Sequence, residues 1–221
     1  MITTEAVITA VREEARTLRR LQLTVSSPRF AFLPGQWIDL VREPDGSVGG
    51  YSMTNAPGEL GEGVIELGVR RSKHPVTRWL HDEAKVGDTV TVRGGQGSCV
   101  YAPAPGDEVV FVAGGVGITP LLSMARAARR SPHPLRAVLL YCVRSPEDVA
   151  FRTELTALAA DDRLRVVIRA SDDLVTTEDA LRLGGLTASY YLCGPPGMID
   201  TLASGLAAAG LPEDQIRYER W

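Results

Sequence analysis

The chain has 221 residues, of which 44% are hydrophobic and 23% are charged, and its formal net charge is −3. This length fits one large domain or two small ones, and the composition is ordinary for a globular protein. The negative balance gives no reason to expect a nucleic-acid partner, and no apolar run reaches the roughly 18 residues that indicate a membrane span. The N-terminus lacks the charged-then-apolar pattern of a signal peptide, so we expect a cytoplasmic protein.

Residues that commonly bind metals do not cluster in the sequence. Three cysteines and three histidines lie far apart, and no C-x-x-C spacing occurs. We therefore predict neither a disulfide framework nor a zinc or iron–sulfur site. Arginines do cluster, at Arg16, Arg19 and Arg20 and again at Arg70 and Arg71. Such clusters are typical of a solvated surface, and the alternative is a patch for phosphates or for an acidic protein partner.

The first hundred residues have the pattern of an antiparallel β domain. Apolar runs separated by Gly and Pro turns predict strands at residues 7–11, 21–25, 36–41, 64–69 and 89–92. One helix is predicted between them, from Val76 to Glu83. Short strands at this spacing are typical of a small antiparallel barrel.

The second half of the chain alternates strands with helices. Strands are predicted at residues 109–113, 136–143, 164–169, 189–193 and 216–219, and helices at residues 120–130, 147–160, 177–183 and 196–209. This alternation implies a parallel sheet with right-handed crossovers. The Pro-rich segment 101–106 separates the two patterns, so we place the domain boundary between residues 103 and 104.

A Gly-rich turn follows the predicted strand at 109–113. It contains Gly114, Gly115 and Gly117 and leads into a helix, with Thr119 as the predicted N-cap and Pro120 as the first helical residue. Backbone N–H groups and the positive end of the helix dipole then converge on one spot that suits a phosphate. The glycines let the backbone approach an anion without a Cβ in the way. The alternative is a tight structural turn.

A second small-residue loop begins at Cys193, Gly194 and Pro195, after the predicted strand at 189–193. Two such loops can flank one crevice at the carboxyl edge of a parallel sheet, which is where open α/β sheets bind ligands. Together the two loops predict that the chain binds a dinucleotide.

With these elements in place, the chain resembles the ferredoxin–NADP reductase family of flavoproteins. The motifs that carry the resemblance are Pro34-Gly35-Gln36-Trp37, Tyr51-Ser52-Met53-Thr54-Asn55, His74-Pro75-Val76-Thr77-Arg78-Trp79-Leu80-His81, Gly114 to Pro120, Cys193-Gly194-Pro195 and Glu219-Arg220-Trp221. They occur in the family's order and span nearly the whole chain. The resemblance implies an antiparallel six-stranded β-barrel over residues 1–103 that binds FAD, with FMN the less expected flavin. It also implies a Rossmann-like parallel α/β domain over residues 104–221 that binds NAD(P)H.

The resemblance further implies three catalytic residues. Ser52 would form a hydrogen bond near flavin N5, Cys193 would lie beside the nicotinamide, and Glu219 would supply a carboxylate for proton or charge balance. The residues alone leave plainer alternatives open: an ordinary strand serine, a buried apolar cysteine and a surface carboxylate.

The implied cofactor-binding residues lie in the same motifs and beside them. On the flavin side they are Tyr51, Ser52, Met53, Asn55, Val69, Arg70, Arg71, Val76, Thr77 and Trp221. On the nicotinamide side they are Gly114, Gly115, Gly117, Thr119, Pro120, Arg144, Cys193, Gly194, Pro195 and Met198. Tyr51 offers an aromatic face to the flavin, and Thr77 either caps its helix or reaches the flavin phosphates. Trp221 either stacks over the flavin or belongs to a frayed terminus.

Two positions depart from the family's pattern. Gly49 stands where the family usually has an arginine that pairs with flavin phosphate, and His74 stands where glycine is usual. Since charge-assisted contacts to phosphate are strong, flavin affinity is lower here or another arginine substitutes. The candidates are Arg70, Arg71 and Arg78.

The sequence leaves the choice between NADH and NADPH open. Arg144-Ser145 follows the second predicted strand of the α/β domain, and Arg169 ends the third. Both arginines suit the 2′-phosphate of NADPH. The alternative for Arg144 is a salt bridge with Glu147 or Asp148.

The function that these observations favour is a flavin-dependent NAD(P)H oxidoreductase. Electrons would leave to a separate acceptor protein such as a ferredoxin, a flavodoxin or an oxygenase component. One alternative is a free-flavin reductase, for which flavin is a substrate. Another is a non-catalytic nucleotide-binding or regulatory subunit with the same fold.

Overall fold

The computed structural model describes residues 1–43, 45–160 and 162–221. Within these residues the chain forms two sheets, one in each half, and the segment 97–107 joins them. The predicted boundary between residues 103 and 104 falls inside that segment. No helix among the described residues is long and apolar enough to cross a membrane.

The first sheet of the described chain has six antiparallel strands, which confirms the predicted fold class. They are β1 (Ile2–Ala15), β2 (Leu18–Val25), β3 (Trp37–Arg42), β4 (Ser47–Ser52), β5 (Val64–Arg70) and β6 (Thr89–Gln96), in the spatial order β4-β3-β6-β1-β2-β5. The two edge strands meet at a bridge between Met53 and Leu67, next to the Thr54 N–H that donates to the Glu66 carbonyl at 2.8 Å. The sheet therefore curls into a barrel that remains open where β4 and β5 separate.

β1 and β4 differ most from the prediction, while β2 begins three residues earlier and β6 ends four residues later than predicted. β1 extends beyond residues 7–11 because it pairs with β6 through its first half and with β2 through its second. β4 was not among the predicted strands because Gly49 and Gly50 interrupt its apolar pattern, and glycine has low strand propensity. Pairing with β3, in which Gly49 lies opposite Leu40 and Gly50 opposite Asp39, holds this segment extended.

Helix α1 (Pro75–Asp82) closes one end of the barrel and lies one residue earlier than predicted. It buries Val76 and Leu80 in the barrel core, beside Val69 of β5.

The second sheet of the described residues has five parallel strands, as predicted. They are β7 (Glu108–Gly114), β8 (Arg136–Val143), β9 (Leu164–Ala170), β10 (Ser189–Gly194) and β11 (Ile216–Arg220), in the order β11-β10-β7-β8-β9. Helices α2 (Ile118–Arg130) and α3 (Arg152–Leu158) pack on one face, and α4 (Thr177–Gly184) and α5 (Pro196–Ala208) pack on the other. The strand order reverses between β7 and β10, so a crevice lies outside their carboxyl ends.

The predicted helix at 147–160 was wrong in its first part. The chain forms a short 3₁₀ turn at 146–148, and α3 begins only at Arg152. Between them Val149, Ala150 and Phe151 turn inward and are buried, and Phe151 adopts a left-handed backbone with a φ of 56°. Burial of these apolar residues at the domain interface replaces the first turn of the predicted helix.

The predicted start of α2 was also wrong. A 3₁₀ turn at Gly115–Gly117 comes first, and Gly117 is the N-cap of a helix that begins at Ile118. Thr119 lies inside the first turn, where its hydroxyl donates to the Val116 carbonyl at 2.9 Å. Pro120 is the third helical residue, a position that tolerates proline because first-turn N–H groups have no helical partner.

A buried ion network joins the two domains. Nη1 of Arg126 on α2 lies 3.0 Å from Oε1 of Glu66 on β5, and their side chains are 4% and 1% exposed. Arg126 also pairs with Glu154 of α3, whose other carboxylate oxygen accepts from Arg20 of β2 at 2.9 Å. Burial raises the pKa of Glu66, but the guanidinium groups of Arg126 and Arg20 lower it more, so the net shift is downward. The network therefore holds charged groups from both domains in fixed contact.

We predict that Arg126→Ala lowers the free energy of unfolding by about 3–5 kcal/mol, because it leaves the buried Glu66 carboxylate without its main partner. Urea unfolding followed by circular dichroism measures this change.

The matched control is Arg16→Ala. Arg16 also joins the domains, through Asp148 at 3.2 Å, but its side chain is 71% exposed. Its loss should cost under about 1 kcal/mol. Equal losses of unfolding free energy in the two variants would contradict the conclusion that the buried network holds the two domains together.

Candidate functional site

A cavity of about 420 Å³ lies where β4 and β5 separate, and residues of both domains line it. The barrel contributes Gly50, Tyr51, Ser52, Gly68, Arg70, Arg71, Ser72 and Thr77, and the α/β domain contributes Val116, Thr119 and Trp221. This volume lies within the usual range of small-molecule sites. The cavity is thus formed by the gap in the barrel and is closed by the second domain.

The β4 wall of the cavity presents an aromatic ring and a hydroxyl. The hydroxyl groups of Tyr51 and Thr77 form a hydrogen bond of 2.9 Å, and the Tyr51 ring packs above Gly49. Burial raises the pKa of Tyr51. The Ser52 side chain is buried, and its hydroxyl has no hydrogen-bond partner among the described residues. It is therefore free to bind a ligand.

The opposite wall depends on a glycine in β5. A Cβ on Gly68 would lie 2.6 Å from the Thr119 methyl group and 3.1 Å from the Phe151 ring. Gly68 thus allows the second domain to approach the barrel closely. Gly68 was not among the predicted site residues, although an isolated glycine inside a strand is a known sign of close approach.

The three glycines of the turn after β7 have different surroundings. A Cβ on Gly117 would collide with the Cys193 carbonyl, and a Cβ on Gly114 would lie 2.7 Å from the Met198 sulfur. Gly115 has a φ of 55° and faces open space. Of the three, Gly115 leaves room for an anion to approach the backbone, whereas the other two are required for packing against β10 and α5.

The C-terminal residues border the same crevice. Glu219 of β11 lies opposite Cys193 of β10 in the register of the sheet. Oε2 of Glu219 is buried without a hydrogen-bond partner among the described residues, and burial raises the pKa of this carboxyl. Burial and the nearby Glu219 also raise the pKa of the Cys193 thiol. The backbone N–H of Trp221 donates to the Gly194 carbonyl at 3.1 Å, which fixes Trp221 at the cavity.

Comparison with known proteins agrees with this geometry. Residues 5–101 match the family model described as Oxidoreductase FAD-binding domain, and residues 111–204 match Oxidoreductase NAD-binding domain. Oxidoreductase NAD-binding domain-containing protein 1 of Danio rerio is 34% identical over 238 aligned positions, which cover 94% of this chain and 88% of the relative. The chain belongs to the ferredoxin–NADP reductase-like family of flavoproteins.

Two solved structures of this family are similar over almost the whole chain. The Amycolatopsis cytochrome P450 reductase GcoB has a TM-score of 0.86 and 28% identity, and the match covers 99% of this chain and 69% of GcoB. The ferredoxin reductase in carbazole 1,9a-dioxygenase has a TM-score of 0.82 and 29% identity, with the same coverage of 99% and 69%. This ferredoxin reductase-like chain is therefore an oxidoreductase with an FAD-binding barrel and an NAD-binding α/β domain.

The cavity residues fit the flavin of this family. The Tyr51 ring offers an apolar face, the Ser52 hydroxyl has no hydrogen-bond partner among the described residues, and Arg70 supplies positive charge. FAD needs all three kinds of contact, for its ring system, its polar ring edge and its phosphates.

Several predicted cofactor residues of this flavoprotein lie behind the cavity wall. Met53, Val69 and Val76 are buried in the barrel core. The Asn55 side chain donates to the Val64 carbonyl at 3.1 Å and accepts from the Glu66 N–H at 2.8 Å. These side chains shape the wall, and Thr77 does not cap α1, since His74 occupies the N-cap position.

Predicted residues on the nicotinamide side also divide into two groups. Thr119 lines the cavity, whereas Pro120 is buried beside it. Gly194 and Met198 pack against Gly114 at the carboxyl edge of the sheet, and Pro195 is the N-cap of α5.

The two arginines considered for a 2′-phosphate differ in their partners. Arg144, which follows β8, forms no ion pair with any described residue. The alternative of a salt bridge from Arg144 to Glu147 or Asp148 is therefore wrong for the described residues. Asp148 pairs with Arg16 instead. Arg169 pairs with Asp179 at 2.6 Å.

The end of β5 is held by a buried histidine. The His81 Nε2–H donates to the Val69 carbonyl at 2.9 Å. Burial lowers the pKa of His81, and the nearby guanidinium groups of Arg71 and Arg19 lower it further. The folded protein therefore favours neutral His81, and this hydrogen bond fixes the strand that carries Arg70 into the cavity.

We predict that His81 makes stability depend on pH. The unfolded chain protonates histidine near pH 6.5, whereas the folded chain does so only at lower pH, so the unfolded state binds more protons in this window. The free energy of unfolding should rise as the pH increases to about 6.5 and then lose this dependence. Urea unfolding between about pH 5 and 8 measures the slope.

His81→Gln should reduce that slope, and His133→Gln, in the loop before β8, should leave it in place. An unchanged slope in the His81 variant would show that another group is responsible.

Proposed function

We propose that this chain is a reductase that takes hydride from NAD(P)H onto bound FAD and delivers the electrons to a separate acceptor protein. The observation that supports this most strongly is the shared cavity. Tyr51 and Ser52 of the FAD-binding barrel face Val116, Thr119 and Trp221 of the NAD-binding domain across one space. When bound, FAD accepts hydride from a nicotinamide and can release the electrons singly or as a pair.

The chain's own residues position the reactants. Tyr51 and Ser52 line the cavity, so the Ser52 hydroxyl would donate a hydrogen bond to the polar edge of a bound flavin and the Tyr51 ring would pack against the flavin or its ribityl chain. The raised pKa of Cys193 keeps it a neutral thiol, so it would place no charge beside a nicotinamide bound at this edge of the sheet. Glu219 holds its proton more strongly than an exposed carboxyl does, because burial raises its pKa.

Trp221 controls access to the cavity in this proposal. Its side chain lies in the cavity, and its backbone N–H is tied to the Gly194 carbonyl. A nicotinamide entering from the Gly115 turn must displace the indole ring, while the backbone tie keeps the terminus nearby.

The acceptor that we propose is an oxygenase-type redox protein. GcoB is described as a cytochrome P450 reductase, and the carbazole enzyme as a ferredoxin reductase of a dioxygenase. The same chemistry would serve a ferredoxin or a flavodoxin. We further propose NADPH as the preferred nucleotide, because Arg144 has no carboxylate partner among the described residues whereas Arg169 is neutralised by Asp179. A cytoplasmic location stays a prediction.

Gly49 favours one other candidate function. Because it cannot supply a charge to flavin phosphate, flavin could exchange as a substrate of a free-flavin reductase. A nucleotide-binding subunit without turnover is the corresponding non-catalytic case.

The acceptor experiment separates these functions. The protein is loaded with FAD, freed of unbound flavin by gel filtration, and mixed with NADPH and a [2Fe–2S] ferredoxin. We expect NADPH oxidation that depends on the ferredoxin and needs no added flavin. Oxidation that requires added riboflavin or FMN would support the free-flavin reductase, and no oxidation under either condition would support the non-catalytic subunit.

We predict that Cys193→Ala slows reduction of bound FAD by about 10- to 100-fold, because a displaced nicotinamide loses its alignment for hydride transfer. Stopped-flow absorbance under anaerobic conditions measures the rate. Cys142→Ala, which removes a half-buried thiol from the end of β8, is the control and should reduce FAD at the wild-type rate. Equal rates in the two variants would remove Cys193 from the mechanism.

A further inference from the structure

We infer that Arg70 binds the FAD pyrophosphate in this chain and that Gly49 is required by the packing of Tyr51. This inference rests on the proposed function, since it concerns how the barrel holds FAD. The family usually has the phosphate-binding arginine on β4, whereas in this chain the corresponding charge lies on β5.

The first step is the surroundings of Gly49. A Cβ built on Gly49 would lie 2.6 Å from the Tyr51 hydroxyl oxygen and 2.8 Å from the nearest ring carbon. The backbone at Gly49 does not have the positive φ that favours glycine, so the obstacle to a side chain is the ring alone. A larger residue at position 49 would therefore displace the Tyr51 ring.

The second step is that the Tyr51 ring is fixed in place. Its hydroxyl bonds to Thr77 of α1 at 2.9 Å, and the side chain is part of the buried barrel core. Displacing the ring would break this bond and disturb the wall of the cavity. An arginine at position 49 and the observed position of Tyr51 thus exclude each other.

The third step is the charge that remains near the cavity. Arg70 and Arg71 both line it, but Arg71 pairs with Asp82 at 2.8 Å. Arg70 forms no ion pair with any residue that the structure describes. Arg70 is the last residue of β5, so strand alternation places it on the same side of the chain as Gly68, and both line the cavity. Arg70 is therefore the arginine best placed to neutralise a phosphate there.

The start of α1 supplies backbone donors to the same anion. The first helical hydrogen bond runs from the Arg78 N–H to the His74 carbonyl at 2.9 Å, and no side chain caps the helix. The N–H groups of Val76 and Thr77 therefore have no helical partner. Thr77 lines the cavity whereas Val76 is fully buried, so the Thr77 N–H is the backbone donor that a pyrophosphate held by Arg70 would meet there.

Equilibrium binding of FAD and of riboflavin tests the role of Arg70, with binding measured from the change in flavin fluorescence. Arg70→Gln should weaken FAD binding about 10- to 100-fold and leave riboflavin, which has no phosphate, unchanged. Arg29→Gln, which removes an exposed arginine from the loop between β2 and β3, outside the cavity lining, should leave both affinities near wild type. Unchanged FAD affinity in Arg70→Gln, or an equal loss for both flavins, would overturn the inference.

Substitutions at position 49 test the packing argument. Gly49→Arg should fail to tighten FAD binding and should lower the melting temperature of the flavin-free protein, because it displaces Tyr51. Val48→Arg is the matched control, since it places an arginine at an exposed position of the same strand, outside the cavity lining, and should leave FAD binding and the melting temperature near wild type. Tighter FAD binding by Gly49→Arg than by the wild type would overturn the inference. Failure of the wild type to bind any FAD would instead refute the proposed function, and the inference with it.

Discussion

The buried contact between Arg126 and Glu66 determines how the two domains face each other. Arg126 lies on α2, whose first turn follows directly from the Gly115 turn, and Glu66 lies on β5, two residues before Gly68. From Gly117 to Arg126 the helix spans about 13 Å, and it is rigid over that length. Fixing Arg126 against the barrel therefore also fixes the nucleotide turn against the cavity. Without the Arg126–Glu66 contact, neither the gap between β4 and β5 nor the crevice between β7 and β10 is a complete site.

Close packing against glycines is the second requirement of this site. Gly68 lets Thr119 and Phe151 reach the barrel, and Gly117 lets the nucleotide turn lie on the Cys193 carbonyl. Gly49 makes room for the Tyr51 ring in the same way. Each glycine removes a side chain that would separate two parts of the cavity wall, so the positions of the ring, the hydroxyl and the turn depend on one another.

Local patterns in the sequence predicted the architecture well. Alternating apolar residues marked most strands of the barrel, and the strand–helix alternation marked the parallel sheet, because both periods reflect direct burial. β4 was not predicted, because its Gly-rich segment has no strand pattern of its own and is held extended by pairing with β3. The helix at 147–160 failed because tertiary burial of Phe151 outweighed local helix propensity.

The details of the site were less predictable. Arg126 and Glu66 are 60 residues apart in sequence, and either one alone has the appearance of a surface charge. The motif residues Tyr51, Ser52 and Thr119 do reach the cavity, whereas Met53 and Asn55 of the same motif support it from behind. A motif identifies a strand and its neighbours, but only the pairing of strands decides which side chains face the ligand.

The central claim is that the two domains, joined by the buried ion network, place FAD and a nicotinamide in one shared cavity. Anaerobic titration of the FAD-loaded protein with NADPH, and separately with NADH, tests it most directly through the visible flavin absorbance. We expect that one equivalent of NADPH bleaches the bound flavin and that NADH does so only at higher concentration. A protein-bound flavin that neither nucleotide bleaches would contradict the account.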